Sequence, residues 1–304
     1  MSSPSPAPSG KTLLVYRGHS DKVFSVRWSP DGRYLASTGR DARVHVWEAD
    51  SGQPALVYRA HTHCVLCTAW SPDRLLLASG DTSGAIHVWE ARTGQTLTVY
   101  RGHRRFARSL GWSPDGRLLA SGGDYGDSTV QVWETLNGTC LASHADQYRI
   151  FAVGWSPDGQ RIASASFDGT VMLRQARAET PGTTIGVYFG HSAPVYALDW
   201  SPDGRWLASG GQDGRVLLWD TTTLETIHIY GEHRQAVKTL AWSPDGQYIA
   251  SGGDDTDIQV WQAATGQCGC TYRDHTAWVR TLAWSPDGAS LASASDSTVR
   301  VWQL

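Results

Sequence analysis

Residues 18–47 read GHSDKVFSVRWSPDGRYLASTGRDARVHVW, and most of the chain is this stretch written again. Its Trp-Ser-Pro-Asp string begins at Trp28 and recurs at Trp70, Trp112, Trp155, Trp200, Trp242 and Trp284, at intervals of 42, 42, 43, 45, 42 and 42. Nine residues before these tryptophans stand His19, His61, His103, Asp146, His191, His233 and His275. A second Trp closes the units at Trp47, Trp89, Trp133, Trp219, Trp261 and Trp302, with Arg174 in the fourth. Self-similarity at a fixed period of this length marks a repeat architecture.

Each unit carries four short strand signals. Val23–Trp28 is rich in β-branched and aromatic residues. Ser29-Pro30-Asp31-Gly32 makes a tight turn, with Pro presetting φ at the second position and Gly at the fourth. Tyr34–Ser37 is the second strand, a turn around Asp41 follows, Val44–Trp47 alternates, and a Ser-Gly turn leads to Ala55–Tyr58. No segment sustains a 3.6-residue period, so helix should be nearly absent. One such unit cannot bury both faces, and its edges invite pairing with neighbours. Closing a ring of units buries the faces and leaves only short, protected edges. The fold class is therefore all-β, a seven-bladed β-propeller of four-stranded antiparallel blades.

Gly18-His19, the Asp41 turn and the terminal Val46-Trp47 resemble the WD repeat, although only Trp219-Asp220 spells the dipeptide. The resemblance covers Lys11–Leu304 as one domain, behind a Pro/Ser-rich leader or linker at residues 1–10 that has no apolar core and is expected to be disordered. The near-regular turns are similar to those of bacterial WD proteins, in which propellers follow signalling domains. The seventh unit stops at Gln303-Leu304 without a fourth strand, while Thr12–Tyr16 parallels Thr96–Tyr100 and Thr226–Tyr230. The N-terminal strand is thus expected to close the last blade.

Several units depart from the pattern. Arg74 replaces the turn Gly in unit two, where slight strain is expected, and Ser83 stands at the Asp place with Asp81 nearby. Unit three gains two residues around Asp124-Tyr125-Gly126, and unit seven is one residue short before Asp296. Unit four lacks its His and its Trp, and its last hairpin extends through Ala176–Thr184. A buried, unpaired Asp168 would be costly, so it should be solvated or find Arg174.

Composition narrows the function classes. With 26 basic and 29 acidic residues, bulk charge attracts neither nucleic acid nor membrane. Arg101, Arg104, Arg105 and Arg108 cluster around Phe106, but without a second basic run nucleic acid is disfavoured. No apolar run is long enough to span a membrane. Five cysteines, an odd count without a secretion signal, favour the reducing cytoplasm. Cys64-x-x-Cys67 and Cys268-Gly-Cys270 lack a second ligand pair, so they read as strand residues; no metal and no cofactor is expected.

Asp, His and Ser recur in every well-formed unit, which invites a hydrolase reading. The WD resemblance implies instead a buried hydrogen-bonded tetrad: His19, Ser37, Asp41 and Trp47; His191, Ser209, Asp213 and Trp219; His233, Ser251, Asp255 and Trp261. A catalytic triad is needed once, beside an oxyanion site, not in near-copies around a ring. No catalytic residue is assigned.

The resemblance also implies that the mouth of the central channel captures peptides through the third and fifth residues after each repeat His. The third column reads Lys22, Cys64, Phe106, Arg149, Pro194, Ala236 and Trp278; the fifth reads Phe24, Leu66, Arg108, Phe151, Tyr196, Lys238 and Arg280. Five aromatic and five basic residues among these fourteen make the composition of a binding hot spot, and guanidinium suits carboxylate or phosphate. The expected function is a monomeric, non-catalytic scaffold binding a protein or peptide, acidic or phosphorylated. The rivals are a propeller hydrolase or lactonase, which needs His or acidic residues at the mouth columns, and a structural module of a larger signalling protein.

Overall fold

The computed structural model, described for residues 10–73, 75–146, 148–176 and 183–304, contains twenty-eight strands in seven four-stranded antiparallel sheets, with no helix among those residues. Arg74, residues 1–9 of the leader and residues 177–182 of the long hairpin lie outside the described residues.

In the first blade, Val23–Trp28, Tyr34–Gly39, Val44–Glu48 and Pro54–Tyr58 pair side by side in chain order. The second strand is buried from Leu35 to Gly39, which explains its small residues: neighbouring blades cover both its faces. The turn before it is held by its own side chains. Gly32 N–H donates to the Ser29 carbonyl at 2.9 Å, and the Ser29 hydroxyl donates to Asp31 at 2.6 Å while accepting from Tyr34 N–H at 3.0 Å. Gly32 sits at φ +72°, where a side chain would be strained.

Two contacts join most blades to the next, and together they explain the repeated aromatic residues. On the inner side, Trp28 Nε1–H donates across to the Ala283 carbonyl at 3.1 Å, and Trp70, Trp112, Trp155, Trp200 and Trp284 do the same to the preceding blade. Trp242 differs: its Nε1 has no partner, and its backbone N–H donates to Asp199 Oδ2 at 2.8 Å. On the outer side, a Tyr at the end of the fourth strand stacks on the next blade's closing Trp at five junctions, Tyr188 tilts on Trp219 at a sixth, and between blades three and four, with Ala145 and Arg174, there is no such pair. Tyr16 lies 4.4 Å from Trp47 and Tyr58 4.3 Å from Trp89, both at 3° between planes. Such pairs contribute about 0.5–1.5 kcal/mol beyond their buried area. The apolar clusters accordingly straddle blades, as where Tyr16, Ala292 and Val301 pack with Leu35 and Trp47.

Strand Lys11–Tyr16 pairs antiparallel with Thr298–Gln303, from Lys11 opposite Gln303 to Tyr16 opposite Val299. The N-terminal strand therefore closes the seventh blade, and the ring holds itself shut by ordinary strand pairing.

Candidate functional site

The buried polar groups come together within each blade. Trp47 Nε1–H donates to Ser37 Oγ at 3.2 Å, Ser37 lies 2.9 Å from His19 Nε2, and His19 Nδ1 lies 2.8 Å from Asp41. The carboxylate can only accept, so the imidazole proton sits on Nδ1, and the Ser37 hydroxyl, accepting from the indole, donates its hydrogen bond to Nε2. The chain of donors runs one way and ends on the acid. His191, Ser209, Asp213 and Trp219 repeat it at 2.9, 3.0 and 2.8 Å, and His233, Ser251, Asp255 and Trp261 at 2.8, 2.9 and 3.4 Å. Burial acts to raise the Asp41 carboxyl, but the His19 hydrogen bond and charge outweigh it and hold it below the ordinary range.

The departing units find other solutions. In blade two Asp81, two residues ahead of the usual place, takes His61 Nδ1 at 2.7 Å, and Ser83 donates to the same carboxylate. In blade four Asp168 is exposed and caps its own turn, accepting from Thr170 N–H and hydroxyl. Arg174 does not reach Asp168; it donates to Ser164 at 2.7 Å and pairs with Asp146, the residue in the His place. Arginine thus replaces the indole donor and aspartate the imidazole, and a buried ion pair replaces the Trp–Ser–His–Asp chain. In blade seven His275 keeps Ser293 at 2.7 Å but has no carboxylate partner among the described residues, and burial pushes its pKa down to about 4. The shortened turn there leaves Asp296 at the rim of the mouth instead.

Two of the buried groups, His19–Asp41–His45 and His61–Asp81–His87, bring three metal-ligating atoms within 4.8 Å of one another. In both, the His and Asp are already joined to each other, so a cation would have to displace that bond. All five cysteines are free. Burial pushes the Cys67 thiol up to about 12, and it donates to the Ala107 carbonyl at 3.2 Å, so it does not ionise.

The inner strands surround a cavity of about 260 Å³ at the centre of the ring. Phe24, Arg108, Phe151, Tyr196, Lys238, Trp278 and Arg280 all line it. Lys22 faces an adjoining hollow with Trp278, Arg280, Asp254 and Asp296. Phe106 and Arg149 lie off the cavity; Phe106 is half-buried at φ +23°, and Arg149 packs toward Tyr125.

Each of the three cavity cations of the fifth column sits over an aromatic ring, a contact in which the ring's negative face attracts the charge. Arg108 is 5.9 Å from Phe151, Lys238 is 3.5 Å from Tyr196, and Arg280 is 5.7 Å from Phe24 and 5.4 Å from Trp278. Lys238 also meets Asp254 at 3.5 Å, whereas Arg108 has no acidic partner among the described residues. Burial lowers the pKa of Lys238 and of Arg280, and the charge of Arg108 pushes both further in the same direction.

Deeper in the channel stand two residues that the mouth columns do not contain. The eighth position after the repeat His reads Arg27, Ala69, Gly111, Gly154, Asp199, Ala241 and Ala283, so two charges interrupt a ring of Ala and Gly. That anomaly was visible in the sequence. Arg27 meets channel water yet is surrounded by protein, donating to the Val26 carbonyl and to Thr281. Burial pushes Asp199 up to about 6, but its two oxygens accept from the backbone N–H groups of Trp200 and Trp242. Asp199 is a brace between blades five and six.

A family model described as WD domain, G-beta repeat, matches the chain in seven segments, 10–48, 52–90, 94–134, 137–174, 182–220, 224–262 and 266–303. The chain is 50% identical over 38 residues to the probable cytosolic iron-sulfur protein assembly protein 1 of Vanderwaltozyma polyspora, 12% of this chain and 11% of that protein. It is 54% identical over 33 residues to WD repeat-containing protein 1 of Xenopus tropicalis, 11% of this chain and 5% of that one. With Protein HIR1 of Yarrowia lipolytica it shares 51% over 45 residues, 15% and 4% of the two chains. Each match is about one blade long, so the likeness is of the repeat unit, and the chain spans a small part of each relative. No helix among the described residues is long and apolar enough to cross a membrane.

Proposed function

Because this chain belongs to the WD domain, G-beta repeat family, we propose that it is a non-catalytic scaffold whose channel mouth captures an acidic or phosphorylated peptide of a partner protein. The observation carrying this reading is the convergence of Arg108, Lys238 and Arg280 on one cavity, each over an aromatic ring, with Lys238 alone of the three in an ion pair among the described residues. Burial, and then the charge of Arg108, lower the proton affinity of Lys238 and Arg280, and an anion seated among them offsets both. Guanidinium and ammonium groups on aromatic shelves offer charge-assisted bonds to carboxylate or phosphate oxygens. The hydrolase rival is less well supported: Asp199 engages both oxygens with backbone N–H groups, and Asp254 at the mouth is paired with Lys238.

The test is a peptide-library screen with the wild-type ring and with the Arg108→Gln, Lys238→Gln, Arg280→Gln variant. Gln is chosen over Glu because an added carboxylate at position 238 would face Asp254. Acidic or phosphorylated ligands should dominate the wild-type screen, bind more weakly as salt rises, and lose at least tenfold in affinity in the variant. Ligands without acidic bias, binding both proteins equally, would overturn the proposal.

A further inference from the structure

The mouth face carries aromatic surface that an acidic group alone does not use. The residue after each second strand reads Arg40, Thr82, Asp124, Phe167, Gln212, Asp254 and Asp296, polar in every blade but the fourth. Its backbone N–H has a fixed task, donating to the carbonyl of the third-column residue, as Arg40 does to Lys22, Phe167 to Arg149 and Gln212 to Pro194. The fold therefore places no demand on this side chain, and Phe167 leaves 43% of itself in water. Beside it, the two extra residues of blade three's turn set Tyr125, 56% exposed, at 4.5 Å from the Arg149 guanidinium. Arg149 is also 5.4 Å from Phe167 and is steadied by Asp124 at 3.8 Å. Phe167 in turn lies 6.3 Å from Phe151, and Phe151 lies 5.9 Å from Arg108. Rings and guanidinium groups thus form one unbroken run from the edge of blade three to the anion-facing Arg108.

We infer that this run is a second subsite, which reads an aromatic side chain placed two or three residues from the acidic group of the same peptide. Geometry bounds the spacing: the two steps from Arg108 to Phe167, 5.9 and 6.3 Å, make a path that fewer than four residues of extended peptide span at about 3.3 Å per residue, and any bend in it shortens the span. The chemistry follows from the surface. An aromatic ring laid there covers apolar area that is now wet and meets the Arg149 guanidinium face-on. The inference rests on the acidic-peptide reading of the mouth, and its test separates the two.

Three fluorescent peptides of equal length serve as probes: one with Asp and Trp two positions apart, one with Ala for the Trp, and one with Asn for the Asp. Fluorescence anisotropy is measured on the wild-type ring and on a Tyr125→Ser, Phe167→Gln variant. Gln is what blade five carries at the matching position, Gln212, so the ring accepts it there; a thermal melt checks the fold. The Asp/Trp peptide should bind the wild type about five- to tenfold tighter than the Asp/Ala peptide, and the variant should erase that gain without weakening the Asp/Ala peptide. Equal wild-type affinities for those two peptides, or a gain that survives the variant, would overturn the subsite while leaving the acidic reading intact. No difference between the Asp and Asn peptides would overturn both. A single-stranded oligonucleotide that binds tighter than the Asp/Trp peptide, and loses that affinity in the variant, would show a base-stacking surface and overturn the peptide assignment.

Discussion

Replacing Arg174 by Met tests whether blade four's ion pair does the work that the tetrad does elsewhere. The Arg174 and Asp146 side chains are only 5% and 8% exposed, and Asp146 Oδ2 already lacks a partner. Arg174→Met removes the donor to Ser164 and leaves the carboxylate buried without its cation. Breaking a buried pair from one side costs about 3–5 kcal/mol, most of it the stranded charge. Asp146→Ala approaches from the other side and leaves the guanidinium with Ser164 alone. Removing both strands no charge, so the double variant should cost little more than either single, a coupling of about 2–4 kcal/mol. A chain of this size unfolds with an entropy of roughly 0.6 kcal/mol/K, so each single variant should melt about 5–8 °C lower. Urea unfolding of the four proteins, followed by Trp fluorescence, gives the cycle directly. Additive single costs, or an Arg174→Met penalty under about 1 kcal/mol, would show that the pair is no substitute for the tetrad.

Truncation should separate the leader from the closing strand: removing residues 1–10 should leave the melting temperature unchanged, while removing residues 1–16 takes away the Tyr16–Trp47 stack and the pairing with Thr298–Gln303, a loss of several kcal/mol at about 1.5–3 per buried side chain. Equal melts would refute the closure argument. A pH titration of stability should reveal His45, His87 and His275, which burial pushes down to about 4 from an ordinary 6.5, His45 and His87 further lowered by the neighbouring imidazoles of His19 and His61, and His275 by Arg300. A folded pKa below the unfolded one means that the unfolded state binds more protons, so stability is full above pH 6.5 and falls as the pH drops toward 4. In the matching places of other blades Gln131 and Gln259 accept from the hydroxyls of Tyr100 and Tyr230, as His45 and His87 meet those of Tyr16 and Tyr58, so His45→Gln with His87→Gln should fold normally and lose less stability over that window. An unchanged acid profile would mean these rings do not titrate there.

Much of this molecule was legible because the repeat states its own register. The intervals between Trp28 and Trp284 gave the blade count, and the unmatched Thr12–Tyr16 segment gave the closure. What stayed hidden lies between units. The Tyr16–Trp47 stack and the Trp28–Ala283 bond join residues of different blades, and no spacing within one unit pairs them. The Arg174–Asp146 pair was hidden for a different reason. Each residue is an anomaly when compared with its own column, and only contact shows that the two substitutions answer each other. Asp296 was flagged by a missing residue, but not its release from His275 toward the mouth.

The same division bears on where function can reside in such a ring. The closing Trp, the repeat His and the strand Ser are tied by side-chain bonds, so changes there must be compensated, as in blade four. At the third column the bonded group is the backbone carbonyl: Lys22, Cys64, Phe106, Arg149, Pro194 and Ala236 all accept through it from the turn beside them. Pro194 is the sharpest case, since proline gives up its N–H but keeps the carbonyl that this position needs. A column held only by its backbone accepts a charge, a thiol, a ring or an imino acid without loss to the fold. The aromatic and cationic side chains at such positions are therefore open to the capture we propose, and Arg149 between Tyr125 and Phe167 is the most crowded instance.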